Sequence, residues 1–418
     1  LNLYISTCNI NDTQDFALNI EKRIHSTDSV YHPLLSSIPI SIKDNFMVKG
    51  MKTTAASQML ATFDSIFDAD PVEKLRRHSA LLANKSNMDE FGMGSSTGNS
   101  SYGRSMNPIG ISIDTHGNET LTKITPGGSS GGGAAAVAAN YVHGAVGSDT
   151  GGSVRQPASF CGVVGFKPTN GRLSRHGLIA YASSLDTPGI MTKTVSDAAI
   201  LFDVMCGDES DTRDPLLGVY KEYKTGEYGS CGSLDQGDQG KVSPVVSPVT
   251  RELLDAPGDL SHVCLEDIDR MISKSKQLVS LDGMRIGIPM ELVVKEINPE
   301  IMNAWQYTIG LLEDAGATVV NVSIPTLKHA IPAYYVLACA EAASNLSRFD
   351  GVRYGHRASP SNTNSTTSNN NTSTDTNTDT STSNVDVDEH AITDPLLQQI
   401  ARSRGEAFGD EVIQRILS

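Results

Sequence analysis

The chain is predicted to fold as an α/β protein, and three observations predict it. Short apolar strands alternate with amphipathic helices along most of the 418 residues. Glycine clusters fall between those elements, where backbone must approach something closely, and do not form long flexible tracts. Two stretches alone break the alternation, 219–265 and the run "SNTNSTTSNNNTSTDTNTDTSTSN" at 361–384, which has no apolar side chain.

The elements follow in order. In residues 12–24, Phe16, Ile20 and Ile24 recur every four positions behind Asn11 or Asp12, the pattern of a capped helix. "IPISIK" alternates Ile38, Ile40 and Ile42 and is predicted as a strand ending at Lys43. Asp70 and Pro71 stand where a cap and a first helical turn are expected, and "ALLAN" follows as a strand. "GAAAVAANYV" predicts a buried small-residue helix, with "VHGAV" a short strand after it. Thr194 and Asp197 have capping-box spacing before "AAILFDVM". Asn298-Pro299 opens a helix bearing Ile301, Trp305 and Leu312 on one face, stopped by Gly316, and "ATVVNVSI" returns as a strand. Residues 219–265 are predicted as a surface insertion. Residues 361–384 are predicted as a disordered low-complexity insertion, since they have nothing to bury against the entropy of ordering.

Composition limits the function. A net charge of −15 argues against a chain that grips nucleic acid by itself, although a partner can do so. Cys8, Cys161, Cys206, Cys231, Cys264 and Cys339 form no C-x-x-C pair, and the ten histidines show no ligand spacing, so neither a disulfide framework nor a metal site is expected. The chain begins at Leu1 with no visible presequence.

The stretch "TPGGSSGGGAAAVAANYVHGAVGSDTGGSVRQPASF" carries the chemistry. A linker would remain polar on both sides, and a phosphate loop would follow its glycines with G-K-[ST]; neither holds. "GGSSG" matches a nucleophile elbow, but no later Asp and His are set apart by context. A serine nucleophile without histidine needs another base. A lysine serves if burial keeps it neutral, and Lys43, closing an apolar strand before "DNF", is the candidate. The alternative is a surface lysine at a strand end.

"PISIKDN", "TPGGSSGG" and "GSDTGGSVRQPASFCGVVGFKPT", in that order, resemble the amidase signature family over nearly the whole chain outside the insertions. The resemblance implies a central mixed β-sheet covered by helices on both faces, with 1–418 as one amidase domain. It also implies that Ser153 is the acyl-forming nucleophile, Ser129 the bridging serine after a cis peptide at Gly128, and Lys43 the terminal base. The amides of Thr150, Gly151, Gly152 and Ser153 then converge on a developing oxyanion, with Asp149 and Arg155 supporting their loop.

Within the family, "NKSNMDEFGMGSS" and "AYYVLACAEAASNLSRFDGVRYG" resemble the A subunits of glutamyl-tRNA(Gln) amidotransferases. That implies hydrolysis of glutamine and release of ammonia to a B subunit, which holds Glu-tRNA(Gln) and uses ATP and Mg, with a small third subunit beside them. No cofactor is implied in this chain. Arg415 aligns with the arginine that clamps the glutamine carboxylate, the alternative being a solvated helix residue. Tyr334 is a further substrate contact, with Tyr335 its close competitor. The family pattern continues past Ser418, so the apolar faces of "ATVVNVSI" and "IPISIK" are expected to be partly uncovered. The Asn/Thr-rich insertion suggests a eukaryotic, mitochondrial setting. Two functions compete with this one: a stand-alone small-amide hydrolase and a catalytically dead scaffold.

Overall fold

The computed structural model describes residues 1–8, 35–113, 119–206, 213–214, 280–359 and 394–418, with Gln14 and Leu18. The helix expected over 12–24 lies almost wholly outside these residues, and both expected insertions lie outside them entirely. The described residues fall into two units, one from Leu1–Thr250 with Ala338–Ser418 and one from Arg251–Leu337.

The first unit is built on strands β1 (Tyr4–Thr7) and β2 (Pro39–Lys43), helix α1 (Asp70–Arg77), strand β3 (Leu81–Ser86) and a hairpin of β4 (Ile111–Ile113) and β5 (Glu119–Leu121). Helix α2 (Gly131–Ala138), β6 (Gly144–Asp149), α3 (Arg155–Cys161), β7 (Val164–Phe166), β8 (Thr187–Thr192) and α4 (Val195–Cys206) complete its first part. Six strands join in the order β1-β3-β2-β6-β8-β7. β2 is parallel to both β3 and β6, and the other pairings are antiparallel, so the sheet is mixed.

Register explains where chemistry gathers. Lys43 pairs with Ser86 and Ile42 with Val146, so β2, β3 and β6 end together on one edge of the sheet. Carboxyl ends of parallel strands are the usual site location in open α/β sheets.

Both faces are covered. Ile40, Ile42, Val146 and Ile190 pack with Val72 and Leu75 of α1 and Leu201 and Val204 of α4. Ala145 and Met191 pack with α2 residues Ala134–Val137 and with Ala158 of α3. Helix α2 needs its glycines for this approach: a Cβ on Gly132 would lie 2.5 Å from the carbonyl oxygens of Asn87 and Leu3. Thr194 Oγ1 accepts the Asp197 amide at 3.1 Å, the first bond of the expected box before α4, and donates to the Asp197 carboxylate at 2.7 Å. The expectation that the apolar face of "IPISIK" is partly uncovered does not hold for β2. β2 is flanked by β3 and β6, and Ile40 and Ile42 are buried.

The second unit pairs β9 (Arg285–Pro289) in parallel with β10 (Thr318–Val322) across helix α5 (Pro299–Asp314), which Asn298 caps. In β10, Val319, Val320 and Val322 are only half-buried and Thr318 and Asn321 are exposed, so the apolar face of "ATVVNVSI" is partly uncovered as expected. Helix α6 (Ala330–Leu346) spans the unit boundary. In the first unit, α7 (Pro395–Ala407) and α8 (Asp410–Leu417) close the chain. Among the described residues no helix is long and apolar enough to cross a membrane.

Candidate active site

Lys43 closes β2 with its side chain fully buried, so the surface-lysine alternative does not hold. Its Nζ lies 2.7 Å from Ser129 Oγ, 2.9 Å from Ser148 Oγ and 3.2 Å from the Ser148 carbonyl oxygen. Asn45, two residues on, donates to Ser148 Oγ at 2.9 Å. Burial pushes the Lys43 ammonium down to about 7, against the opposing pull of Asp89, Asp149 and Asp186. Next to it, Asp44 forms a fully buried ion pair with Lys85 at 3.0 Å. That pair fixes the turn leaving β2.

Ser129 follows a cis Gly128–Ser129 peptide. Its carbonyl accepts the Asp89 amide at 3.2 Å. The Asp89 carboxylate is buried and accepts four amides, those of Ser96, Thr97, Gly98 and Asn99, at 2.8–3.3 Å. Burial holds its pKa above the usual carboxylate range despite those bonds. Thr97 Oγ1 donates to the Gly127 carbonyl at 2.7 Å and accepts the Gly131 amide at 3.0 Å, so the 89–99 loop grips both sides of the serine. A Cβ on Gly128 would sit 2.1 Å from Asp89 Oδ2 and 2.6 Å from the Ser96 nitrogen. Gly128→Ala should therefore cost about 1–3 kcal/mol of stability, read by chemical denaturation, with loss of activity in the folded fraction.

Ser153 is half-buried at the end of the second glycine cluster, and its carbonyl accepts the Ser130 amide at 3.1 Å. Its hydroxyl makes no hydrogen bond among the described residues, so Ser129 is linked directly to Lys43 but not to Ser153. The structure also divides the four amides expected to face an oxyanion. Those of Thr150, Gly151 and Ser153 donate to nothing among the described residues. The Gly152 amide donates to Asp149 Oδ1 at 2.8 Å, which removes it from the available set. Gly152 instead supplies a backbone φ of +128°, which favours glycine.

Asp149 organises this turn. It accepts the Gly152, Val154 and Arg155 amides and a two-pronged contact from the Arg155 guanidinium at 2.9 and 3.0 Å. Burial alone would raise Asp149, but Arg155 and the amides hold it below the usual carboxylate range. On the other side, Thr150 Oγ1 donates to Asp186 Oδ1 at 2.5 Å. Asp186 Oδ2 accepts the Tyr181 and Ala182 amides. Burial pushes Asp186 up to about 6, with those hydrogen bonds opposing.

Arg415 is not a solvated helix residue. Its side chain is 14% exposed, donates to Tyr181 Oη and to Glu411 Oε1, each at 2.7 Å, and lies over the Tyr181 ring. Tyr181 and Asp186 thus tie Arg415 to the Thr150 turn. Tyr334 lies in the second unit, half-buried and edge-on to the Tyr335 ring.

A lysine held near neutrality on one serine, beside a second serine among unengaged amides, is equipped for acyl transfer at a carbonyl. The amidase family model matches residues 6–237 and 224–414, most of the chain. The chain belongs to the amidase family. Its fold is the amidase signature fold. This amidase chain is 39% identical over 406 residues to the A subunit of glutamyl-tRNA(Gln) amidotransferase from Ruminiclostridium cellulolyticum, covering 97% of itself and 65% of that relative. To the same-named protein of Alkaliphilus metalliredigens it is 36% identical over 417 residues, covering 66% of the relative. The chain thus spans slightly under two thirds of the length of these curated relatives. Among solved structures it is similar to the A subunit of glutamyl-tRNA(Gln) amidotransferase from Thermotoga maritima, at 34% identity and a TM-score of 0.56, over 81% of this chain and 64% of that one. It is also similar to a peptide amidase of Stenotrophomonas maltophilia, at 28% identity and a TM-score of 0.58, over 84% and 59%.

Sequence reasoning missed Ser148, Asn45, Asp89, Tyr181 and Asp186. A signal for Asp89 was present: an acidic residue shortly before "SSTGNS", a turn-forming run whose backbone amides it accepts. Tyr181 and Asp186 had none, because the groups they connect, Arg415 and Thr150, are distant in sequence.

Proposed function

We propose that this chain is the glutaminase subunit of a glutamyl-tRNA(Gln) amidotransferase. The observation that carries the chemistry is the 2.7 Å contact between buried Lys43 Nζ and Ser129 Oγ. In this reading Ser153 Oγ attacks the glutamine side-chain carboxamide. Its proton passes to Ser129, and the Ser129 proton passes to Lys43. The amides of Thr150, Gly151 and Ser153 receive the developing oxyanion. The C–N bond then breaks, the nitrogen leaves as ammonia with the proton returned through Ser129, and water clears the glutamyl ester. Arg415 takes the substrate carboxylate, for which a guanidinium already fixed by Tyr181 and Glu411 is well suited. Tyr334 stands as a further substrate contact in the same reading.

The names of the bacterial relatives support the amidotransferase role, and the net charge of −15 suits a subunit whose partner holds tRNA. The B subunit, with ATP and Mg, and a small third subunit complete the proposed assembly. Mitochondrial location rests on the composition of residues 361–384 and on resemblance. The test is glutamine turnover by the assembled protein in two samples, one with hydroxylamine to intercept the acyl group and one without it, acid-quenched during turnover for mass spectrometry of the acyl-enzyme. γ-Glutamyl hydroxamate and an adduct on Ser153 are expected. An adduct on Ser129 would overturn Ser153 as the nucleophile, and hydrolysis of simple amides with no response to Glu-tRNA(Gln) would instead favour a stand-alone amidase.

A further inference from the structure

Glu90 is almost fully buried, one residue after the Asp89 that holds Ser129, yet among the described residues its carboxylate hydrogen-bonds to neither serine loop. Its Oε1 accepts the Ser57 hydroxyl, and its Oε2 accepts the Gly409 amide at 2.9 Å. Gly409 is the cap of α8, the helix that carries Arg415. Ser57 also reaches the Ala407 carbonyl at 3.3 Å, and Phe91 packs its ring against Phe408. The Ser57 turn is itself anchored beside the candidate base: Asp44 Oδ2 accepts the Thr54 amide at 2.9 Å, and the Asp44 carbonyl accepts that of Ala55. A single carboxylate therefore joins the segment after Lys43, the segment before Ser129 and the start of the Arg415 helix. The contact is close. A Cβ on Gly409 would lie 2.4 Å from Glu90 Oε2, although the Gly409 backbone, at φ −74°, is open to alanine.

We propose that Glu90 is a specificity-determining positioning residue, which sets the register of α8 so that Arg415 meets a substrate carboxylate at the correct distance from the serines. This rests on the reading of Arg415 as the carboxylate clamp. A buried carboxylate is costly to hold, and its Asp410 neighbour adds repulsion, so its retention between two donors points to a geometric role. The substrate class it selects is an amide bearing a carboxylate, over a neutral amide.

The test compares glutamine with propionamide in the native assembly for Glu90→Gln, Gly409→Ala, Arg415→Ala and the Glu90→Gln/Arg415→Ala double variant. Glu90→Gln keeps the volume but leaves one of the two donors facing an NH2 group. Gly409→Ala pushes α8 away with Glu90 intact, and so carries the test if the first variant does not fold. Each of these two should raise KM for glutamine about tenfold and lower the glutamine-to-propionamide ratio of kcat/KM by the same factor. The double variant should discriminate no worse than Arg415→Ala. Equal losses on both amides, or a double variant additive with its parents, would overturn the proposal. If Arg415→Ala abolishes the preference while Glu90→Gln and Gly409→Ala keep it, this inference alone falls. If Arg415→Ala keeps the preference, the clamp reading falls and takes the inference with it.

Discussion

Glutamine hydrolysis is expected to fall by about 10⁴–10⁶-fold when Ser153 is replaced by alanine, with no change in fold. The substitution removes one oxygen from a half-buried side chain whose hydroxyl makes no hydrogen bond among the described residues, so nothing structural depends on it. Its backbone carbonyl still receives the Ser130 amide. Thermal melting should therefore coincide with that of the parent, while the hydroxylamine-trapped product disappears. Survival of most of the turnover would place the nucleophile elsewhere, with Ser129 the first alternative, since it holds the direct contact with Lys43.

Lys43→Arg should be nearly as damaging as Lys43→Ala, both losing about 10²–10⁴-fold in turnover. The reason is protonation. Burial lowers Lys43 to about 7, so the amine is available as a base near neutral pH, whereas a guanidinium stays protonated throughout. The sign follows: the acting form is the neutral one, so activity declines as pH falls through about 7 and levels off above it. One unit below that value roughly a tenth of the enzyme has the amine free. A pH–rate profile of kcat/KM for glutamine checks the midpoint. A vigorous arginine variant, or a profile flat from pH 6 to 8, would make Lys43 a structural charge.

The sequence made the central chemistry legible because short motifs place it. "PISIK" ends a strand on Lys43, and glycine clusters surround Ser129 and Ser153. The alternation of Ile40 and Ile42 also located β2, but not its place in the middle of the sheet, since strand order depends on pairing between distant segments. The same limit hid the surroundings of Arg415. Tyr181 and Arg415 are 234 positions apart, and Glu90 and Gly409 are 319 apart. No local pattern marks such pairs. Gly152 shows a subtler limit. A glycine cluster announces close backbone approach, but which amide faces substrate and which is taken by Asp149 depends on the turn's dihedral angles.

The two contacts from Lys43 to Ser148 have a consequence for the direction of proton flow. A neutral amine has two hydrogens and one lone pair. The Ser148 carbonyl only accepts, so it takes one hydrogen; Ser148 Oγ, already receiving the Asn45 amide hydrogen, can take the second. The lone pair is then left facing Ser129 Oγ. Once the amine is charged, its third hydrogen points back along the same line. With Lys43 fully buried, that proton has no direct contact with water, so within one turnover its short route is back through Ser129. Between turnovers the amine equilibrates with solvent and gives the pH dependence above. In the proposed cycle the amine is, for the length of one turnover, a reservoir with one port: what it receives from the nucleophile's side it returns to the leaving nitrogen, and raising the buffer concentration at fixed pH should leave the rate unchanged.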